Sequence, residues 1–245
     1  MDQIVLFGDS LTEFAVDQTR GFSFNAAIQN EYIRRIDVVN RGYSGYNTVL
    51  ALRILPHLIQ APSAGRIRLF SIFLGANDAR LPNSGTPAQH VPRDQYKTNL
   101  ARILDCEQLK PHAPRFVLIT PPPLDERLCV QTDSNKGYGA EKRRTAATTA
   151  AYAQTVRDLG RERGVPVVDL WTALMQAAGW DGDEKRMLHD GLHFNGVVYE
   201  ILHKEWMKTV TTAYPDMAPD KLPHVFPIWS NEEAWNKFEG PKRIL

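Results

Sequence analysis

The sequence predicts an α/β fold: three layers, α/β/α, around a doubly wound, five-stranded parallel sheet. Three observations lead there. Five short apolar runs are separated by stretches of helical periodicity, the alternation expected of βαβ units with right-handed crossovers. The first run, Ile4 to Phe7, is continuously apolar, as suits a strand covered on both faces. Polar, glycine-containing turns follow the first and third runs at their carboxyl ends, the edge where open α/β sheets bind ligands.

Gly8-Asp9-Ser10 follows the first strand, and glycine lets the chain turn where a side chain would clash. Phe24, Ile28, Tyr32 and Ile36 recur every fourth residue and predict a helix over residues 22–35. Residues 37–40 form a brief second strand. Gly42 and Gly45 mark a tight loop before a helix capped by Asn47 or Thr48. Leu50, Ile54, Leu55 and Leu58 should be its buried stripe, and Pro56 should kink or end it. Residues 67–74 are the third strand, apolar except for Arg68 and Ser71, and end in Gly75-Ala76-Asn77-Asp78.

After a loop containing proline and glycine, a helix over 92–109 turns Tyr96, Leu100, Ile103 and Leu104 inward. Strand four, 116–120, is stopped by Pro121-Pro122-Pro123, and residues 124–138 read as a long surface loop. An Ala- and Thr-rich helix over 139–163 ends at Gly164, and strand five covers 165–170. A short amphipathic piece around Leu174 and a polar loop, 181–186, deliver His189-Asp190-Gly191-Leu192-His193. The last helix, 195–210, carries Val198, Ile201, Leu202 and Trp206 toward the core. With the flavodoxin-like strand order 2-1-3-4-5, the switch point lies between strands one and three, flanked by Ser10 and Asn77.

Composition narrows the partners. The 29 basic and 28 acidic residues give a net charge of +1, so no global field attracts nucleic acid or an anionic membrane. No run of about 18 apolar residues is present to span a bilayer. The first strand leaves no room for a signal peptide, and Cys106 and Cys129 make no disulfide framework, so a reducing, cytoplasmic setting is expected. From Tyr214 onward prolines and aromatics replace periodicity. The chain therefore divides into a domain over 1–213 and an extension over 214–245. Phe226, Trp229, Trp235 and Phe238 of that extension pack on the domain, close a pocket or meet a second copy of the chain in a homodimer.

A serine hydroxyl becomes a useful nucleophile only when a general base takes its proton, and a histidine held by a carboxylate is the common solution. Asp190 and His193 stand three residues apart, so the carboxylate can reach Nδ1–H and leave Nε2 for Ser10. Attack on an ester carbonyl makes an oxyanion, for which the candidate donors are the Ser10 N–H, the Gly45 N–H and the Asn77 amide. Gly45 permits close backbone approach, and Asn77 donates without carrying charge.

These residues sit in four ordered blocks: Gly8-Asp9-Ser10-Leu11, the Gly45 loop, Gly75-Ala76-Asn77-Asp78 and Asp190-Gly191-Leu192-His193. Together they resemble SGNH (GDSL) hydrolases over most of residues 3–210. The longer runs, Phe7 to Phe14, Arg41 to Thr48, Phe73 to Asp78 and Asp190 to Phe194, look like the isoamyl acetate-hydrolysing esterase branch. The resemblance implies Ser10 as nucleophile, His193 as base, Asp190 as its orienting acid, and Ser10, Gly45 and Asn77 as the oxyanion hole. It implies hydrolysis of short-chain, acetate-type carboxylic esters through an acyl-enzyme, with no cofactor and no metal. A thioesterase, lysophospholipase or carbohydrate deacetylase could use the same machinery. Gly-x-Ser-x-Gly occurs nowhere, which argues against the ordinary α/β-hydrolase class.

Two rival readings are weaker. His189 and His193, four apart with Asp190 between, have a spacing that could ligate a metal, but a loop carries them and Ser10 and Asn77 would then have no role. His189 is read instead as a surface or supporting residue, and Asp9 as a turn carboxylate bonding nearby amides. A non-catalytic binding module would not need all five roles filled.

Overall fold

The computed structural model of the chain describes residues 1–82, 84, 89–177 and 188–238. The expected loop at 181–186, part of the Pro- and Gly-containing loop and the last residues of the extension lie outside the described residues. Five parallel strands form one sheet in the order β2-β1-β3-β4-β5: β1 Gln3–Gly8, β2 Asp37–Gly42, β3 Ile67–Phe73, β4 Arg115–Ile119 and β5 Val167–Val168. The expected sheet and its order are what the chain adopts.

Both faces of the sheet are covered, as the continuous apolar runs require. On β1, Ile4 and Leu6 join one core, with α2 (Phe24–Glu31) and α8 (Gly196–Ala213), while Val5 and Phe7 join the other. That second core is completed by α3 (Thr48–Leu58), α4 (Arg93–Leu104) and α6 (Ala146–Arg163). On β3 the register shifts between Gln3 and Ile4 of the neighbouring strand, so Ile67 and Leu69 point to opposite cores although two residues apart. Arg68 lies at that irregularity and reaches Asp2 Oδ2 at 3.2 Å. Ser71, the other polar residue of the run, accepts a 3.1 Å hydrogen bond from the Trp206 indole N–H, so two buried polar groups satisfy each other.

Several elements depart from the sequence reading. The helix expected over 22–35 spans only Phe24–Glu31, because Tyr32 caps it and Arg34 takes a left-handed φ of 63°; Phe24, Ile28, Tyr32 and Ile36 are nonetheless all buried. In α3, Pro56 falls in the last turn and the helix ends at Leu58; Leu55 is buried and Ile54 and Leu58 pack on the core as expected, but Leu50 is exposed and Ala51 takes its place. The 92–109 helix stops at Leu104, followed by a 3-10 turn, Glu107–His112.

Residues 124–138 are not a loop. They hold α5, Glu126–Asn135, started by Asp125, whose carboxylate accepts from Leu128 N at 2.9 Å. No residue of α5 is fully buried, and only Cys129 packs partly on the core, so it carries no clear apolar stripe to read. The long helix begins at Ala146 rather than 139, where Thr145 Oγ1 accepts from Thr148 N, and ends as expected at Gly164, φ 63°. Strand five shrinks to two residues: Pro166 has no N–H to offer a ladder, and Asp169 already caps α7 (Leu170–Ala177) through Thr172 N.

The extension is tied back onto the fold over its first part. Tyr32 Oη donates to Met217 O at 2.9 Å, Tyr214 Oη to Phe116 O at 2.9 Å, and Arg35 Nε to Leu222 O at 3.1 Å. Farther on, Trp229 is 88% exposed. Among the described residues no helix is long and apolar enough to cross a membrane.

Candidate active site

The register of the sheet sets the site. Gly8 is level with Gly42 on one side and Phe73 on the other, so the turns carrying Ser10, Gly45 and Asn77 all leave the same carboxyl edge. A Cβ on Gly8 would lie 2.5 Å from Phe73 O and 2.1 Å from Thr12 Oγ1, so glycine there is a packing requirement. Beyond it the chain turns into α1, Ser10–Glu13, with Asp9 as the cap: Asp9 Oδ1 accepts from Leu11 N at 2.9 Å. Ser10 is 6% exposed.

The second group comes from the other end of the sequence. Leu188 and Phe194 form an antiparallel bridge, and His189 N donates to His193 O at 2.7 Å, which closes residues 188–194 into a tight loop. Phe194, fully buried, packs on Phe73 and Tyr199 and anchors that loop to β3 and α8. Gly191 has φ 90°, and a Cβ on it would meet Cys129 N at 2.5 Å, because the loop is pressed against α5; Gly191 O accepts from Asp125 N. The helix missed in the sequence is therefore one wall of the site.

That loop brings His193 to Ser10. His193 Nε2 lies 2.9 Å from Ser10 Oγ, and Nδ1 lies 2.7 Å from Asp190 Oδ2. A carboxylate only accepts, so Nδ1 carries the proton and Nε2 is the acceptor facing the hydroxyl. Asp190 Oδ1 takes Leu192 N at 3.1 Å and His193 N at 2.9 Å. Burial pulls the Asp190 carboxyl upward, but the hydrogen bonds and the nearby His193 outweigh it and hold the group well below the usual carboxylate range. Phe14 meets the imidazole edge-on, with centroids 5.3 Å apart, and the Arg20 guanidinium lies over the Phe14 ring, 4.6 Å from its centroid.

Gly45 and Asn77 belong to one connected wall. Gly45 has φ 79°, and its loop is tied to α1 by Ser44 N donating to Glu13 Oε2 at 2.6 Å. Asn77, 3% exposed, donates from Nδ2 to Tyr46 O at 2.9 Å, which leaves the second amide hydrogen available. Its Oδ1 accepts from Arg144 Nη2 at 3.1 Å, and Arg144 Nη1 donates to Ala76 O. A guanidinium cannot accept and a carbonyl cannot donate, so these two partners fix which way the amide faces. Burial pushes the Arg144 guanidinium pKa down. Arg144 touches the expected oxyanion residue directly, and the sequence reading did not single it out.

Two more carboxyls lie behind Ser10. Burial raises Asp9 to about 7, with the neighbouring Asp78 adding to the rise, and raises Asp78 itself to about 6 although its Oδ1 accepts from Thr48 N and Oγ1. Burial lifts the Cys129 thiol to about 12, so it is not a nucleophile at neutral pH. Beside His193 opens a cavity of about 280 Å³, lined in part by Arg80, Cys129, Lys136, Arg143, Arg144 and Asp190. Among the described residues no three His, Cys, Asp or Glu side chains converge so as to hold a metal ion.

The chain is similar to known proteins in sequence and in fold. The chain is 36% identical to a GDSL esterase/lipase of Arabidopsis thaliana, over 96% of this chain and 95% of the relative. It is 33% identical to the isoamyl acetate-hydrolyzing esterase of Saccharomyces cerevisiae, over 93% of this chain and 94% of that one. Among solved structures, a lipase/acylhydrolase from Enterococcus faecalis superposes with a TM-score of 0.61 at 22% identity, covering 91% of this chain and 98% of the other. An acetylxylan esterase from Geobacillus stearothermophilus does so with a TM-score of 0.62 at 17% identity, covering 85% and 94%; both share the fold. The profile of the GDSL-like Lipase/Acylhydrolase family matches residues 6–201. The chain belongs to that family and is a carboxylic ester hydrolase.

Proposed function

We propose that the protein hydrolyses short-chain carboxylic esters, acetate esters among them, through an acyl-enzyme on Ser10. The observation that carries this reading is the unbroken relay from Ser10 Oγ through His193 to Asp190, at 2.9 and 2.7 Å. Ser10 Oγ attacks the ester carbonyl carbon as its proton passes to His193 Nε2. The Asp190 carboxylate keeps Nδ1–H in place and stabilises the imidazolium. The carbonyl π electrons move onto oxygen, and the oxyanion accepts from the Ser10 N–H, the Gly45 N–H and the free hydrogen of Asn77 Nδ2. Arg144 acts as a positioning residue, since it holds Asn77 Oδ1 away from the oxyanion. When the tetrahedral centre collapses, the bond to the alcohol oxygen breaks and His193 returns the proton to that oxygen. Water then attacks the acyl carbon, gives its proton to His193, and the acid leaves as Ser10 recovers its hydrogen.

A small substrate is supported by the size of the cavity beside His193, about 280 Å³, at the lower end of ligand sites. A relative named for isoamyl acetate hydrolysis, 33% identical, supports an acetyl-sized acyl group. The test is kcat/KM over p-nitrophenyl esters from acetate to dodecanoate. The reading expects a maximum at the short acyl chains; a maximum at decanoate or longer would overturn it. The proposed second partner is another copy of this chain, supported by Trp229 at 88% and Phe226 at 43% exposure, and checked by mass in solution.

A further inference from the structure

The chain as a whole is nearly neutral, with a net charge of +1, yet the cavity beside His193 is not. Four of its lining side chains are basic, Arg80, Lys136, Arg143 and Arg144, against two acids, Asp133 and Asp190. Asp190 is already engaged by His193. Asp133 Oδ2 makes a long ion pair with Arg143 Nε at 3.9 Å, beyond hydrogen-bond reach, and among the described residues that buried Nε has no hydrogen-bond partner. The remaining bonds of these guanidiniums go to neutral acceptors: Arg143 to Tyr138 O, Arg80 to Gln89 Oε1 at 2.9 Å and Ser84 Oγ at 3.0 Å, Arg144 to Ala76 O and Asn77 Oδ1. Arg80 is also destabilised by burial and then by the charge of Arg143. Like charges gathered around open space, with donors left over, are stabilised by an anion arriving between them.

We propose that this cavity is a subsite for an anionic group carried by the ester, so that the preferred substrates bear a carboxylate or equivalent anion on the part that lies beside His193. The proposal rests on the esterase reading above and narrows it to a substrate class. Arg143, Arg80 and Lys136 supply charge and guanidinium or ammonium donors, and Arg144 adds positive potential from the oxyanion side. A neutral ester fills the same space without compensating that charge.

Matched carboxylate and carboxamide substrates test it on both sides of the scissile bond. The acyl arm compares p-nitrophenyl hydrogen adipate with p-nitrophenyl 5-carbamoylpentanoate; the alcohol arm compares 4-acetoxybenzoate with 4-acetoxybenzamide. In one arm the carboxylate should have a kcat/KM about tenfold or more above its amide, the effect of one hydrogen bond to a charged group. That ratio should fall toward one in Arg143→Gln, in the exposed-site variant Lys136→Gln, and in high salt. Amides equal to or better than carboxylates in both arms would overturn the subsite while leaving the esterase reading intact. A carboxylate preference untouched by both variants and by salt would overturn it equally. Failure of every ester, neutral ones included, would instead strike at the esterase reading.

Discussion

Replacing Arg144 by methionine removes the guanidinium but keeps most of the side-chain stem, and its consequence can be worked from the contacts of Asn77. In the intact protein Asn77 Oδ1 is held by Arg144 Nη2 at 3.1 Å and Nδ2 by Tyr46 O at 2.9 Å. Without Arg144 only the Tyr46 bond resists rotation of the amide, and a hydrogen bond to a charged partner is worth about 1.5–3 kcal/mol. Complete loss of one oxyanion donor costs about 2.7–4 kcal/mol, which sets the ceiling. The expected loss in kcat is therefore about 10- to 150-fold, with KM changed much less, because the oxyanion forms only in the transition state. The assay is steady-state hydrolysis of p-nitrophenyl acetate by wild type, Arg144→Met, Asn77→Ala and the double variant, each checked for folding by thermal melting. If Arg144 acts through Asn77, its replacement adds little once Asn77 is alanine. Full additivity of the two losses would refute the reasoning, as would a Met variant with wild-type kcat.

Further predictions come from the same geometry. Asn77→Ala alone should lower kcat by about 10²- to 10³-fold, and Ser10→Ala by several orders of magnitude with the fold retained, both read from kcat and a melting curve. Asp9, with a folded pKa raised to about 7 against an ordinary value of about 4, keeps its proton in the folded chain after the unfolded chain has lost it. Stability should therefore fall as pH rises from about 4 to about 7, by on the order of 4 kcal/mol from this group. Denaturant unfolding of Asp9→Asn should show a smaller decline across that window than wild type; an unchanged decline contradicts it. Gly191→Ala, whose Cβ would press on Cys129 N at 2.5 Å from a φ of 90°, should lower both Tm and kcat, with a stability cost of about 1–3 kcal/mol or more.

The strands were legible because their apolar runs are continuous, and a parallel sheet with both faces covered leaves that signature whichever core a residue joins. The order comes from the flavodoxin-like arrangement, which puts its switch point between strands one and three, where the two polar turns lie. Other features had no local signal. α5 fully buries none of its residues, so its only sequence marks were Asp125 as a cap and the absence of glycine or proline up to Asn135. Arg144 is one of 29 basic residues, and its contact with Asn77 spans 67 positions, a distance over which periodicity says nothing. The cationic cavity is assembled from Arg80, from the end of α5, from the segment before α6 and from the His193 loop; Glu141-Lys142-Arg143-Arg144 is a short charge run, but nothing in its pattern says which cavity it faces.

Leu50 failed for a different reason. The stripe was assigned from hydrophobicity alone, whereas α3 is capped by Asn47, whose Oδ1 accepts from Leu50 N at 3.0 Å, and its first residue, Thr48, is held through backbone and hydroxyl by Asp78 Oδ1 at 2.9 and 2.5 Å. With the helix held at that end, Ala51 and Leu55 are buried and Leu50 is exposed. The polar network beneath Ser10 thus overrides the apolar pattern of the helix next to it.

The central claim is that the Ser10 hydroxyl, activated by His193, is the atom that takes the acyl group. A fluorophosphonate probe followed by peptide mass mapping tests it directly. The account predicts a single adduct, on Ser10, in the wild type, strongly slowed labelling in His193→Ala, and no adduct in Ser10→Ala. An adduct on another residue, or undiminished ester turnover by Ser10→Ala, would contradict it.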